Sequence, residues 1–292
     1  MGLSFEQIKD LRATDPGAIS KALKNRKRRP IAQGDGNLFL LAADHPARAA
    51  LAVNGNPSAM GSRKELLQRF ATALQNPKVD GVLGTPDVIE DLTLMGLLEG
   101  KIAVGSMNRG GLKGSSFEFD DRYTAYTAES LKLQGLDFGK NLLRINLQDP
   151  GTVRTLEHTA RVIDECAKHE VPILLEPFMS DWVDGKAVNR LTAEAVELSV
   201  AISSGLGSTS AWSWLKLPVV ADMERVMEAT TLPTLLLGGE GSSDQEATFG
   251  SWSRALTLPG VKGLVVGRTL LYPHDDDVSK AVGQAADLVH KQ

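Results

Sequence analysis

The chain has 292 residues, of which 42% are hydrophobic and 23% charged, a composition typical of a globular protein that excludes a disordered, collagen-like or coiled-coil chain. Its formal net charge of −4 gives no overall basic field to attract nucleic acid or an anionic membrane, so small molecules are the expected partners. One cysteine, Cys166, excludes an internal disulfide, and because neither a membrane-spanning apolar run nor a secretory signal is present, we expect a cytoplasmic protein.

The N-terminal segment precedes the first predicted strand. We expect residues 1–37 to form a helical extension and residues 38–292 to form one further domain. The basic run Lys24–Arg29 has no aromatic or additional basic cluster beside it, which argues against a nucleic-acid site. It predicts instead the solvated end of a helix before Pro30.

Eight short apolar segments, each bounded by turn residues, predict β-strands. Their centres are separated by roughly 32 residues on average, the length of a strand with a crossover helix, so parallel pairing is predicted. The predicted strands are Leu38–Ala43, Gly81–Gly84, Ile102–Ser106, Asn141–Ile145, Pro172–Leu175, Ser213–Leu215, Thr234–Leu237 and Gly263–Val266.

Segments with helical periodicity lie between the strands. The predicted helices are Arg63–Leu74, Arg122–Gly135, Thr152–Lys168, Thr192–Ser203, Met223–Ala229 and Val278–His290. Eight parallel strands covered by helices can close into a ring without an exposed sheet edge, whereas an open sheet leaves two edges. We therefore predict an α/β fold consisting of a single (β/α)8 TIM barrel.

Polar residues that follow the strands of such a barrel converge on its carboxyl-terminal face, where these folds carry their active sites. Charged residues are concentrated at these positions, which predicts a catalytic site. The residues, in strand order, are Asp44, His45, Thr85, Asp87, Asn108, Arg109, Arg144, Asn146, Glu176, Lys216, Gly238, Gly239, Gly267 and Arg268.

Lys216 ends the sixth predicted strand, where a buried charge is costly unless the site uses it. A lysine made neutral by burial and by a nearby cation, for which Arg144 is the candidate, attacks carbonyl carbons and forms a Schiff base. The alternative is a structural ion pair of Lys216 with Asp44 or Glu176.

Asp44 and Glu176 follow the first and fifth strands, which lie opposite one another in an eight-stranded barrel. Carbon–carbon cleavage through an iminium ion needs a base for a hydroxyl proton and an acid for the enamine, and two carboxylates could divide these roles. Asp44 could alternatively cap the turn that follows its strand.

Glycines follow the last two predicted strands, Gly238 and Gly239 within Leu237–Gly241 and Gly267 after the eighth strand. Barrels often bind phosphate at this place, because glycine lets the main chain approach the ligand. Arg268 adds a permanent positive charge. The pattern predicts a phosphate site, although glycines also form tight turns.

A short helix starting near Thr269 would add its positive N-terminal end to the predicted phosphate site. His45 and Asn146 are further candidates for substrate binding. No catalytic metal is expected, because His45 is the only histidine at a predicted strand end and His274 lies in an acidic loop. No glycine-rich dinucleotide or P-loop motif is found, so no cofactor is expected.

Four segments together resemble the class I, or Schiff-base, aldolase superfamily. This superfamily includes tagatose-bisphosphate aldolase, whose motifs are the most similar, archaeal-type fructose-bisphosphate aldolase and, more distantly, deoxyribose-phosphate aldolase. The resemblance spans about residues 38–272 and implies a (β/α)8 barrel that cleaves its substrate without a metal ion. The segments are Leu41–His45, Leu174–Phe178, Trp214–Pro218 and Gly263–Arg268.

The resemblance also implies roles for individual residues. Lys216 corresponds to the Schiff-base lysine on strand six, Asp44 to the acid on strand one, and Glu176 to the strand-five glutamate of the tagatose-type enzymes. The phosphate site of the superfamily resembles Gly239, Gly267 and Arg268.

Two departures from the superfamily pattern concern the proton relay. Arg144 stands where the tagatose-type enzymes are expected to have a strand-four lysine, and an arginine neither forms a Schiff base nor donates a proton as readily. The tyrosine acid of the archaeal-type enzymes has no counterpart at Arg144, Asn146 or Glu176.

The residues and the resemblance predict a class I aldolase that cleaves a phosphorylated keto sugar or deoxy-keto sugar acid. Two alternatives stay open, a lysine-dependent transferase or isomerase and a non-catalytic barrel that binds sugar phosphates. The residues do not distinguish deoxy-keto-gluconate phosphate, deoxyribose phosphate and a ketose bisphosphate as the substrate. They also leave open the pathway and whether the chain forms a homo-oligomer.

Overall fold

The computed structural model describes residues 2–239 and 245–290. Eight parallel strands of this part of the chain form a closed ring in the order β1, β2, β3, β4, β5, β7, β8, β9, with β9 pairing back to β1. The remaining strand, β6, pairs antiparallel with the end of β5 as a hairpin. The predicted barrel is confirmed. The strands are β1 (Leu38–Ala42), β2 (Gly81–Gly84), β3 (Ile102–Ser106), β4 (Phe138–Ile145), β5 (Ile173–Val183), β6 (Lys186–Asn189), β7 (Ser213–Pro218), β8 (Thr234–Leu237) and β9 (Val261–Val266).

Helices alternate with the strands, and two helices precede β1. No helix in the described ranges is long and apolar enough to cross a bilayer. The helices are α1 (Phe5–Thr14), α2 (Gly17–Asn25), α3 (Arg63–Ala73), α4 (Pro86–Leu94), α5 (Ala128–Gln134), α6 (Gly151–Lys168), α7 (Ala193–Ser204), α8 (Met223–Glu228), α9 (Gln245–Ala255), α10 (Arg268–Leu271) and α11 (Val278–Val289).

The predicted helix Arg122–Gly135 is wrong in its first half. Tyr123 forms an antiparallel bridge with Asn108, so this part of the chain is extended beside the end of β3. The helix α5 begins only after Thr127, whose hydroxyl accepts a hydrogen bond from the Ser130 amide. The resulting long connection between β3 and α5 passes over the mouth of the barrel.

The barrel strands are buried on both faces, which explains why they read as continuous apolar runs. Their inward side chains, including Leu40, Val104 and Leu174, form the core inside the ring. Their outward side chains pack against the helices. Near the carboxyl ends, the next inward positions become polar. These polar positions are Asp44, Ser106, Lys140, Glu176 and Lys216.

The basic run closes the opposite, amino-terminal end of the barrel. The guanidinium groups of Arg26 and Arg28 both pair with Asp137, whose carboxylate also accepts a hydrogen bond from the Ala103 amide. Arg29 pairs with Asp80, which precedes β2. The prediction of a solvated helix end is therefore wrong for Arg26, because its side chain is 0% exposed.

Candidate active site

A chain of buried ionic contacts crosses the carboxyl-terminal face of the barrel. Glu176 on β5 contacts two lysines, with its Oε1 atom 2.5 Å from Lys216 Nζ on β7 and its Oε2 atom 2.5 Å from Lys140 Nζ on β4. Lys140 Nζ also donates to Asp44 Oδ2 at 3.1 Å. Because these residues occupy inward positions of different strands, barrel closure brings them together.

Burial and the charges of this group shift the pKa values of Glu176 and Lys140. Burial by itself would raise the pKa of Glu176, but the positive charges of Lys140 and Lys216 and their hydrogen bonds lower it below its ordinary value. Burial lowers the pKa of Lys140 well below that of a free lysine, and the charges of Arg109 and Lys216 lower it further. Lys140 therefore gives up a proton readily, while Glu176 stays ionised.

Lys140 is the main residue that the sequence analysis missed. The predicted strand began at Asn141, whereas β4 begins at Phe138, so the expectation that strand four carries Arg144 in place of a lysine is corrected. The signal was the two-residue alternation of Phe138, Lys140, Leu142 and Arg144, which places all four side chains on one face of the strand.

Arg144 lies two inward positions beyond Lys140, after Leu142, and its guanidinium pairs with Glu118 from the β3–α5 connection. Burial lowers the pKa of Arg144, and the charge of Arg48 adds to this effect. The sequence analysis expected Arg144 to be the cation beside Lys216. The cation that shares Glu176 with Lys216 is Lys140.

Asn146 follows β4 and makes local hydrogen bonds. Its side-chain oxygen accepts from the Gln148 amide, and its backbone amide donates to the hydroxyl of Thr152. These contacts shape the turn between β4 and α6. They do not connect Asn146 with the two lysines.

His45 lies beside Asp44, with 3.8 Å between His45 Nδ1 and Asp44 Oδ1. Burial lowers the pKa of His45 well below its ordinary value, and the positive charges of Arg268 and Lys216 lower it further. The imidazole is therefore neutral at physiological pH. Its side chain retains 26% exposure, so it can still contact a ligand in the barrel mouth.

The glycines after β8 and β9 differ in their surroundings. A Cβ atom on Gly267 would lie 2.4 Å from the Ala42 carbonyl oxygen, and one on Gly238 would lie 2.4 Å from the Val266 side chain, whereas Gly239 adopts a φ of +71° and has open space around it among the described residues. Gly267 caps the short helix α10, which begins at Arg268, close to the predicted start. Gly238 precedes this opening, and residues 240 and 241 of the predicted segment lie outside the described residues.

An apolar cluster lies above the ionic contacts. Leu142 lies two positions after Lys140 on β4, and Phe178 lies two positions after Glu176 on β5. Both side chains pack in one cluster with Leu237 on β8. These side chains exclude water from the lysines, which strengthens the electrostatic interactions below them. Within residues 2–239 and 245–290, no group of three or more potential metal ligands comes together.

A family profile matches most of the chain, from residue 36 to residue 286. The chain belongs to the Cgl0159-like family. The crystal structure of Cgl0159 from Corynebacterium glutamicum is 58% identical in sequence, with 99% of both chains covered and a TM-score of 0.96. A search of curated proteins found no match.

This Cgl0159-like chain also shares its barrel with more distant solved structures. A Schiff-base-forming fructose-1,6-bisphosphate aldolase has a TM-score of 0.65 at 19% identity, with 93% of this chain and 100% of that chain covered. An archaeal fructose-1,6-bisphosphate aldolase, solved with its catalytic lysine bound to a carbinolamine intermediate, has a TM-score of 0.64 at 19% identity, with 93% and 99% covered. At these identities the similarity shows the fold alone.

Proposed function

We propose that this protein is a class I aldolase, which cleaves a phosphorylated keto sugar or deoxy-keto sugar acid through a Schiff base on Lys216. The observation that carries the proposal is the buried Lys140–Glu176–Lys216 group at the mouth of the barrel, with Asp44 attached to Lys140. A purely structural ion pair needs one lysine and one carboxylate, whereas here three cations, Lys140, Lys216 and Arg109, share the carboxylates of Asp44 and Glu176. The fold shared with Schiff-base aldolases supports the same chemistry.

Lys216 is the better placed of the two lysines for covalent chemistry. It has one carboxylate contact, whereas Lys140 contacts both Asp44 and Glu176 and is 1% exposed. Lys216 Nζ gives up one proton, which passes through Glu176 to the substrate carbonyl oxygen, and bonds to the ketone carbon to form a carbinolamine. Loss of water then gives an iminium ion that withdraws electrons from the carbon chain.

Cleavage follows when a base removes the proton from the hydroxyl group on the carbon β to the iminium carbon. The electron pair of the O–H bond forms the carbonyl of the released aldehyde, and the electron pair of the broken carbon–carbon bond forms an enamine on Lys216. In this proposal Asp44 accepts the hydroxyl proton and Lys140, which contacts Asp44, donates a proton to the enamine carbon. Addition of water then releases the ketone product and regenerates the Lys216 amine.

The backbone at Gly238, Gly239 and Gly267, together with Arg268, would hold the phosphate of the substrate. A Cβ atom on Gly267 would lie 3.3 Å from His45 Cε1, and burial together with the charges of Arg268 and Lys216 lowers the pKa of His45, so the proposed phosphate site lies next to the imidazole that Lys216 also influences. A phosphate bound there would place a neighbouring carbonyl group within reach of Lys216.

The test is reductive trapping. The protein is incubated with chelator and with dihydroxyacetone phosphate or a panel of sugar phosphates, reduced with borohydride, and examined by intact-mass and peptide mass spectrometry. We expect an adduct on Lys216 that is absent in Lys216→Ala. The matched control is Lys262→Ala, which removes an exposed lysine from β9 and should leave the adduct unchanged.

Two results would contradict the proposal. An adduct on Lys140 in place of Lys216 would reverse the roles of the two lysines. If no compound gives an adduct although sugar phosphates raise the melting temperature, the barrel binds sugar phosphates without Schiff-base chemistry.

A further inference from the structure

We propose that Arg109 is a positioning residue, which holds Asp44 as a carboxylate through its Oδ2 atom and leaves the Oδ1 atom for the substrate hydroxyl. This inference rests on the proposed aldolase function. Arg109 follows β3 in the β3–α5 connection and lies outside the lysine–glutamate group described above.

The contacts of Asp44 are concentrated on one oxygen. Its Oδ2 atom accepts hydrogen bonds from Lys140 Nζ at 3.1 Å and from the Ser106 hydroxyl at 3.3 Å, and it forms an ion pair with the guanidinium of Arg109. On the Oδ1 side, the contact within the described residues is the neutral His45 at 3.8 Å. One carboxylate oxygen is therefore saturated, whereas the other has no hydrogen bond among the described residues.

Arg109 is itself fixed in place. Its Nε atom donates to the Ser106 hydroxyl at 2.8 Å, and its backbone amide donates to the Thr124 hydroxyl at 3.2 Å. The arginine thus contacts both Asp44 and the serine that donates to Asp44. Because Asp44, Ser106 and Arg109 all contact one another, rotation of the Asp44 carboxylate would break several contacts at once.

The chemistry explains why a second cation is needed at Asp44. Lys140 gives up a proton readily, and when it does so Asp44 loses one of its two positive neighbours. Arg109 keeps its charge at neutral pH, since burial lowers its pKa only to about 10. A positive charge therefore stays beside the Asp44 carboxylate while Lys140 donates its proton.

The experiment is a double-mutant cycle on the turnover of the best substrate found by reductive trapping. Arg109→Gln should lower kcat about 100-fold, the scale of a misplaced proton acceptor, while the Lys216 adduct still forms. In the Asp44→Asn background the same substitution should change kcat less than about threefold, because its target is already lost. Free guanidinium should partly restore the activity of Arg109→Ala.

The matched control is Arg122→Gln, which removes an exposed arginine paired with Asp120 in the same connection. We expect it to leave kcat unchanged. An equal loss from Arg109→Gln in the wild-type and Asp44→Asn backgrounds would overturn the inference, because Arg109 would then act independently of Asp44. Unchanged kcat in Arg109→Gln would overturn it as well.

A second measurement separates this inference from the proposed function. The carboxyl carbon of Asp44 is followed by ¹³C NMR as the pH is changed, with Asp44→Asn identifying its signal. We expect protonation at a higher pH in Arg109→Gln than in the wild type, since a positive neighbour is lost. An unchanged titration overturns the inference even if no substrate is found, whereas a shifted titration without any Lys216 adduct supports it and contradicts the aldolase proposal alone.

Discussion

Replacing Lys140 by methionine tests whether this lysine compensates the two carboxylates below the barrel mouth. The side chain is 2% exposed and lies 3.1 Å from Asp44 Oδ2 and 2.5 Å from Glu176 Oε2. Methionine preserves much of the volume but removes the charge. Breaking a buried ion pair from one side costs about 3–5 kcal/mol, and for a chain of this size that corresponds to a fall of roughly 10 °C in melting temperature.

The pH dependence of this effect has a defined sign. Without the Lys140 ammonium group, Asp44 and Glu176 bind protons more easily in the folded variant than in the folded wild type. The free energy of unfolding of Lys140→Met should therefore recover relative to the wild type as the pH falls from about 7.5 towards about 5. Protonation of the carboxylates removes the uncompensated charge that destabilises the variant.

The assay is thermal unfolding followed by the fluorescence of the four tryptophans at several pH values. The matched control is Lys280→Met, because Lys280 pairs with Asp275 at 2.9 Å but its side chain is 58% exposed. Exposed pairs contribute little, so the control should melt close to the wild type. If Lys140→Met melted as the control does, with no pH-dependent recovery, Lys140 would not be compensating these carboxylates.

Two further predictions concern the ends of the barrel. Asp137→Asn should lower the free energy of unfolding by about 3–5 kcal/mol, because Arg26 loses a buried partner. Its kcat should stay unchanged, since Asp137 lies at the end of the barrel opposite the lysines. The control is Asp287→Asn, which breaks an exposed pair, and a comparable loss of stability in the control would contradict the prediction. For His45, whose pKa is well below 6.5 in the folded state, the unfolded chain binds a proton below about pH 6.5 that the folded chain does not. As the pH falls below about 6.5, the free energy of unfolding of the wild type should therefore decrease relative to that of His45→Gln by up to about 1.4 kcal/mol per pH unit. If the two proteins showed the same pH dependence in acid denaturation, the imidazole would not be held neutral.

The positions of the strands could be predicted from the sequence because each barrel strand is buried on both faces and therefore reads as an apolar run. The predicted strand Ile102–Ser106 coincides with β3. The ends were less certain where a polar residue belongs to the strand. Lys140 lies inside β4, and its charge made the strand look shorter than it is.

The connection between β3 and α5 shows a different limit. Its segment from residue 122 has helical periodicity, but the pairing of Tyr123 with Asn108 holds it extended. Periodicity records which side chains are apolar, and it does not record a competing backbone partner 15 residues away. The same connection carries Arg109 and Glu118, so their contacts with Asp44 and Arg144 could not be predicted.

The basic run Lys24–Arg29 was predicted to be the solvated end of a helix, because it has no aromatic or additional basic cluster that would favour a nucleic-acid site. The fold supplies the carboxylates that change this outcome. Asp80 and Asp137 lie about 50 and 110 positions further along the chain, and only closure of the barrel brings them beneath the arginines. A local pattern carries no information about charges at such separations.

The sequence by itself determined the alternation of strands and helices, the closure of eight strands, and the strand ends that hold Asp44, Glu176 and Lys216. The alternation and the strand ends are local, since they depend on burial patterns within segments of a few residues, whereas closure followed from the number of parallel strands and the edges that an open sheet would expose. The tertiary structure alone decided which charges meet. It placed Lys140, and not Arg144, between the two carboxylates. Both side chains lie on the same face of β4, and their heights relative to Asp44 and Glu176 depend on the register of the neighbouring strands.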